Sequence, residues 1–104
     1  MEPITNSTTI KELQEYCRVE FAKRGFSGQS LEREFVGLVE EVGELAEVIK
    51  NLSKQNRKKG KKYDLEGELA DIFLYLVTIA NTHNISLAEA VEKKERINRK
   101  RNWL

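Results

Sequence analysis

Apolar residues recur along this chain at intervals of three and four, and strand-like alternation is nowhere sustained, so the pattern predicts helices throughout. The first stripe is Ile10, Leu13, Cys17 and Phe21, opened by Thr9 and Glu12 at capping-box spacing. It predicts a helix from about Ile10 to Lys23. Two glycines mark GFSGQ as a loop. A second helix, from near Ser30 to about Lys54, carries Leu31, Phe35, Leu38, Val42, Leu45, Ile49 and Leu52 on one face. The polar, basic segment SKQNRKKGKKYD reads as a linker, and a third helix covers about Leu65 to Thr82. The fourth begins at Ser86, which repeats the capping-box spacing with Glu89, and extends to about Arg101. The expected architecture is all-α, an antiparallel bundle of about four helices. Residues 1–8 form a flexible N-terminus and residues 9–104 one domain.

The third helix differs from the others. At about 100° per residue, Leu65, Leu69, Ile72, Phe73, Leu76, Val77, Ile79 and Ala80 cover most of its circumference, leaving a strip of Glu68, Asp71, Tyr75 and Thr78. A helix apolar nearly all round is a buried one. A chain of 104 residues has too little else to cover it, which predicts self-association, most simply a C2 dimer.

Composition narrows the setting. The chain is 34% charged yet carries a net charge of only +1, which argues against a nucleic-acid binder working by bulk charge, although basic residues cluster at Lys54–Lys62 and Lys93–Arg101. One cysteine, Cys17, excludes an intrachain disulfide and suits a reducing compartment. No apolar run approaches the roughly 18–20 residues needed to span a bilayer, and MEPITNST has no signal-peptide core. The expectation is a soluble, cytoplasmic protein.

The chemistry lies in two matched carboxylate pairs. Glu41 and Glu44 in LVEEVGELAE, and Glu68 and Asp71 in GELADIFLYL, each have the spacing i, i+3 that puts both on one helical face. Both pairs sit inside apolar runs, where an unpaired carboxylate is costly to bury. Folding the third helix back antiparallel on the second brings the pairs alongside, and four such charges demand a cation. Every proposed ligand is an oxygen, which favours Mg²⁺ or Mn²⁺ over zinc. Ferritin-like di-iron bundles follow a Glu with a His three residues on, whereas here the single His83 lies beyond the third helix. Glu40 points about 100° away from Glu41 and stands as a water-positioning base, an outer ligand or an exposed charge.

The pattern Glu40-Glu41-x-x-Glu44, then 23 residues, then Glu68-x-x-Asp71 resembles the MazG-like nucleoside triphosphate pyrophosphohydrolases. That family belongs to the all-α NTP pyrophosphatase superfamily, with the dimeric dUTPases and the phosphoribosyl-ATP pyrophosphohydrolases. LVEEVGELAE is close to the family's usual wording, and ELADIFLYLV is similar to its second motif, including Tyr75 four residues after the Asp. Lys94-x-x-x-Asn98-x-x-Arg101 looks like the family's closing Lys, Asn and Arg cluster. The resemblance implies a four-helix module that pairs into a homodimer or a dimer of dimers. It implies hydrolysis of an NTP or dNTP to the monophosphate and pyrophosphate, with Glu41, Glu44, Glu68 and Asp71 holding Mg²⁺, for which Mn²⁺ can substitute. By the same resemblance Glu41 serves catalysis and Glu40 helps orient water. Lys94, Asn98 and Arg101 contact phosphate or sugar, Tyr75 packs on sugar or base, and Phe26 lies where relatives carry a stacking aromatic.

Plainer readings stand beside these. Lys94 and Arg101 also read as solvated charges favoured by the helix dipole, Tyr75 as core with a satisfied hydroxyl, and Phe26 as a loop anchor. Trp103 and Leu104 read as cover for a neighbouring subunit. Leu76 after Tyr75, where phosphoribosyl-ATP pyrophosphohydrolases carry a His, counts against that substrate, and the dimeric dUTPases are generally longer. A rival of another class is a non-catalytic helical oligomerisation module whose acids hold a structural metal.

Overall fold

In a computed structural model that describes residues 2–26, 28–52 and 64–101, the described residues form four helices and no strand. They are α1 (Ile10–Lys23), α2 (Leu31–Leu52), α3 (Leu65–Thr82) and α4 (Leu87–Arg99). These are the expected helices, with α2 beginning one residue later than predicted and α4 ending two residues sooner. The predicted α2 end at Lys54, the basic Lys54–Lys62 run and the C-terminal Trp103 and Leu104 lie outside the described residues. No helix among the described residues is long and apolar enough to cross a membrane.

The helix ends follow from local hydrogen bonding. Thr9 forms both arms of the box at α1: its side chain accepts from the Glu12 backbone N–H at 3.1 Å, and Glu12 Oε1 accepts from the Thr9 N–H at 2.8 Å. Just ahead of it, residues 5–8 close a turn in which Thr8 N–H donates to the Thr5 carbonyl at 3.1 Å. At the far end of α1, Gly25 takes φ +86°, its N–H donates to Ala22 O, and Phe26 N–H reaches back to Phe21 O at 2.9 Å. That pair of bonds is a Schellman motif, and the Phe26 ring meets Phe21 edge-on at 6.5 Å. Asn84, at φ 54°, ends α3 in the same way, with Asn84 N–H on Asn81 O and Ile85 N–H on Ala80 O. Ser86 caps α4, accepting from Glu89 N–H at 3.3 Å.

The chain divides into two compact units. One runs to Gly28 and resumes at Ala80; the other is Gln29–Ile79. In the first, α1 packs on α4, and Cys17 is buried from α1 as its stripe requires, while Ile10 at the helix start stays exposed. A polar knot ties α1 to the α3–α4 turn. Gln14 Nε2 donates to Asn81 Oδ1 (3.1 Å) and to Ile85 O (2.8 Å), Gln14 Oε1 accepts from Leu87 N–H (2.8 Å), and Asn81 Nδ2 donates to Gln14 O (3.0 Å). Gln14 is buried, so these bonds give its amide the partners a buried polar group requires.

In the second unit the α2 stripe splits in two. Leu38, Leu45, Val48 and Leu52 are buried or half-buried, together with Glu34, Glu41 and Asn51. Phe35 (57% exposed), Val39, Val42 and Ile49 open outward. The single face expected from the sequence is thus a broad one whose two edges meet different surroundings. Three residues are about 300° of helix, so Leu38 and Phe35 diverge by about 60°. On α3, Val77 is fully buried, whereas Leu69 (52%), Phe73 (42%) and Leu76 (43%) are exposed.

Candidate metal and substrate site

The acids come from α2 and α3, both within the Gln29–Ile79 unit. Asp64 starts α3: its Oδ1 accepts from Gly67 N–H at 2.8 Å and its carbonyl accepts from Glu68 N–H at 3.0 Å. A Cβ at Gly67 would collide with the Asp64 carboxylate. Glu68 therefore lies in the capped first turn of α3, where the helix dipole favours negative charge.

Glu41, Glu44 and Glu68 each offer one carboxylate oxygen, and the three oxygens lie within 4.8 Å of one another. Glu41 and Glu68 are half-buried and Glu44 is exposed. One oxygen of Glu41 and one of Glu68, Oε2 in each, are buried without a hydrogen-bond partner. Burial, reinforced by the charge of Glu44, a proton shared with Glu68 and the charges of Asp71 and Glu68, raises the Glu41 carboxyl from 4.5 to about 7. Three hard oxygens at this separation, on residues two of which also bury an unpartnered oxygen, match the donor set a small divalent cation takes up. Asp71 is exposed, with a side chain one methylene shorter. It stands close enough to act on Glu41 but is not one of the three converging oxygens.

The other sequence-predicted residues fall as follows. Glu40 is exposed on α2. Tyr75 is half-buried, with its ring against Gly37 of α2. Phe26 is 54% exposed and holds the Schellman contact to Phe21, whose other neighbour is the Arg24 guanidinium, 5.4 Å from the ring centre. Lys94 is exposed, Asn98 half-buried and Arg101 exposed, with Arg101 N–H donating to Asn98 O at 3.1 Å. Spacing puts Lys94 and Asn98 on one face of α4, in line with Leu87 and Ala90, while Arg101 lies beyond the helix end at Arg99. Phe26 and these three belong to the first compact unit, the acids to the second. Two open depressions in the first unit, of about 530 and 590 Å³, are lined by none of them. Sequence reasoning missed the contact of Gly37 with Tyr75 and the burial of Glu34, which in sequence is one more acid in a first turn.

The MazG nucleotide pyrophosphohydrolase domain matches residues 29–103, which is most of the chain and takes in both acidic helices. The chain belongs to the MazG nucleotide pyrophosphohydrolase family. Its all-α architecture fits that membership, and the Glu41, Glu44 and Glu68 cluster is compatible with the divalent metal that MazG domains generally use. No curated protein matches the chain.

Proposed function

We propose that this MazG domain hydrolyses nucleoside triphosphates or deoxynucleoside triphosphates to the monophosphate and pyrophosphate, with Mg²⁺ held by Glu41, Glu44 and Glu68 and completed by Asp71. The observation that carries the reading is the convergence of three carboxylate oxygens within 4.8 Å on two helices of a pyrophosphohydrolase domain. A bound divalent ion neutralises phosphate oxygens and lowers the pKa of water beside it.

The chain's own residues supply the rest. Hydrolysis breaks one P–O bond of the α–β phosphate bridge; the water's oxygen bonds to that phosphorus, and its two protons go to the product oxyanions or to solvent. Glu40, exposed one position before Glu41, orients that water, and Glu41 takes part both as ligand and in catalysis. Lys94 on α4 and Arg101 just past its end offer positive charge, and Asn98 on α4 an amide, to phosphate or sugar. Tyr75 and Phe26 are assigned to sugar and base. Removal of damaged or surplus nucleotides in the cytoplasm is the purpose such a reaction serves.

The proposal includes pairing of chains, as a homodimer or a dimer of dimers. Phe35, Val39, Val42 and Ile49 on α2, and Leu69, Phe73 and Leu76 on α3, are exposed at intervals of three, four or seven. Stripes with that spacing suit helix-on-helix burial.

A hydrolysis screen over NTPs and dNTPs, modified bases included, tests the activity. Turnover in the wild type that vanishes in Glu44→Gln and in Asp71→Asn, with helicity and assembly retained, is the expected result. Undiminished turnover in both variants contradicts the assignment of these acids.

A further inference from the structure

Gly37 sits in the interior of the 22-residue α2, a position where glycine lowers helix stability relative to alanine. A Cβ built there would fall 2.6 Å from Tyr75 Oη, 2.7 Å from Cε1 and 2.8 Å from Cζ, all far inside van der Waals contact. The outer edge of the Tyr75 ring therefore occupies the space that any side chain at 37 would need. Both partners are in step with the acids. Gly37 is one helical turn before Glu41, and Tyr75 is one turn after Asp71 and two after Glu68. Glycine and ring thus form the layer next to the carboxylate layer in the same helix pair.

We infer that Gly37 is a positioning residue: its bare backbone seats the Tyr75 ring and so sets the register in which α2 and α3 bring Glu41, Glu44 and Glu68 together. The inference rests on the reading of those acids as a divalent-cation site. A side chain at 37 pushes the ring, and with it α3, out of that register. Three donors that must converge on one small ion tolerate little such displacement. A groove that merely tolerates glycine makes no such demand on the metal.

Mn²⁺ binding to the full chain, read from loss of the free-ion electron paramagnetic resonance signal, tests the inference without recourse to turnover. Gly37→Ala is expected to weaken Mn²⁺ binding by about tenfold or more, the scale at which supports of metal ligands act. Gly37→Ala combined with Tyr75→Val, which reopens the space, is expected to recover most of that loss. A folded Gly37→Ala protein that binds Mn²⁺ like the wild type overturns the inference. Should Gly37→Ala not fold, the double variant decides. Restored folding with Mn²⁺ binding supports the inference, and failure to fold or to bind overturns it. A wild type that binds no Mn²⁺ removes the reading of the acids, and the inference goes with it. Wild-type binding with no response at position 37 overturns the inference alone.

Discussion

Replacing Glu41 with Gln should stabilise the metal-free protein above neutral pH while weakening its hold on a divalent ion. In the folded chain Glu41 titrates at about 7 against an ordinary 4.5, so the folded state binds its proton more tightly than the unfolded state does. Stability from this group is complete below pH 4.5 and is lost as pH rises through about 7. At about 1.4 kcal/mol per pH unit, the loss between about pH 5.5 and 8 has an upper limit of about 2 kcal/mol. Solvent around a half-buried side chain brings that to about 1 kcal/mol. For a domain this small, about 1 kcal/mol moves the melting temperature by about 4–8 °C. The assay is thermal unfolding of wild type and Glu41→Gln in chelator across that range. Taking the difference between the two proteins cancels every titration they share. Wild type should lose ground to Glu41→Gln as pH rises, and saturating Mn²⁺ should reverse the order at high pH because ligand binding favours the wild-type fold. A pH-independent difference, or a Glu41→Gln protein that melts lower at every pH in chelator, refutes the electrostatic account.

Two further outcomes follow from packing. Gln14→Leu strips partners from Asn81, Ile85 O and Leu87 N–H, and should cost about 2 kcal/mol in urea unfolding; a loss below about 0.5 kcal/mol would deny the knot its role. Phe73→Lys places a charge on the exposed α3 stripe and should shift the protein towards monomer in sedimentation velocity, whereas an unchanged mass excludes that stripe from the interface.

Much of the fold was legible because its signals are local. Thr9 with Glu12 located the start of α1, Ser86 that of α4, and the continuous apolar character of α3 gave its span. The division of the α2 stripe was not legible, since periodicity reports that Phe35 and Leu38 are both apolar but not which neighbour each meets. For the site, i, i+3 spacing singled out Glu41, Glu44 and Glu68, whose oxygens converge, together with Asp71, whose oxygens do not join them. Spacing alone did not separate Asp71 from the three residues that converge, because the shorter reach of an aspartate does not register in an i, i+3 pattern. Phe26 illustrates another limit. Its stacking role rests on the resemblance alone, while its contact with Phe21 follows from the bonds of the α1 C-terminus, which the sequence pattern did not show. The fit of Tyr75 over Gly37 depends on the register of two helices 38 positions apart in the chain, which no single-sequence pattern encodes.

Product identity tests the central claim most directly. Wild-type protein incubated with Mg²⁺ and each nucleoside triphosphate should release pyrophosphate and monophosphate in equal amounts from at least one substrate, and should release neither in excess chelator. A folded, assembled protein that yields no pyrophosphate from any nucleotide, or that yields orthophosphate and diphosphate instead, contradicts it.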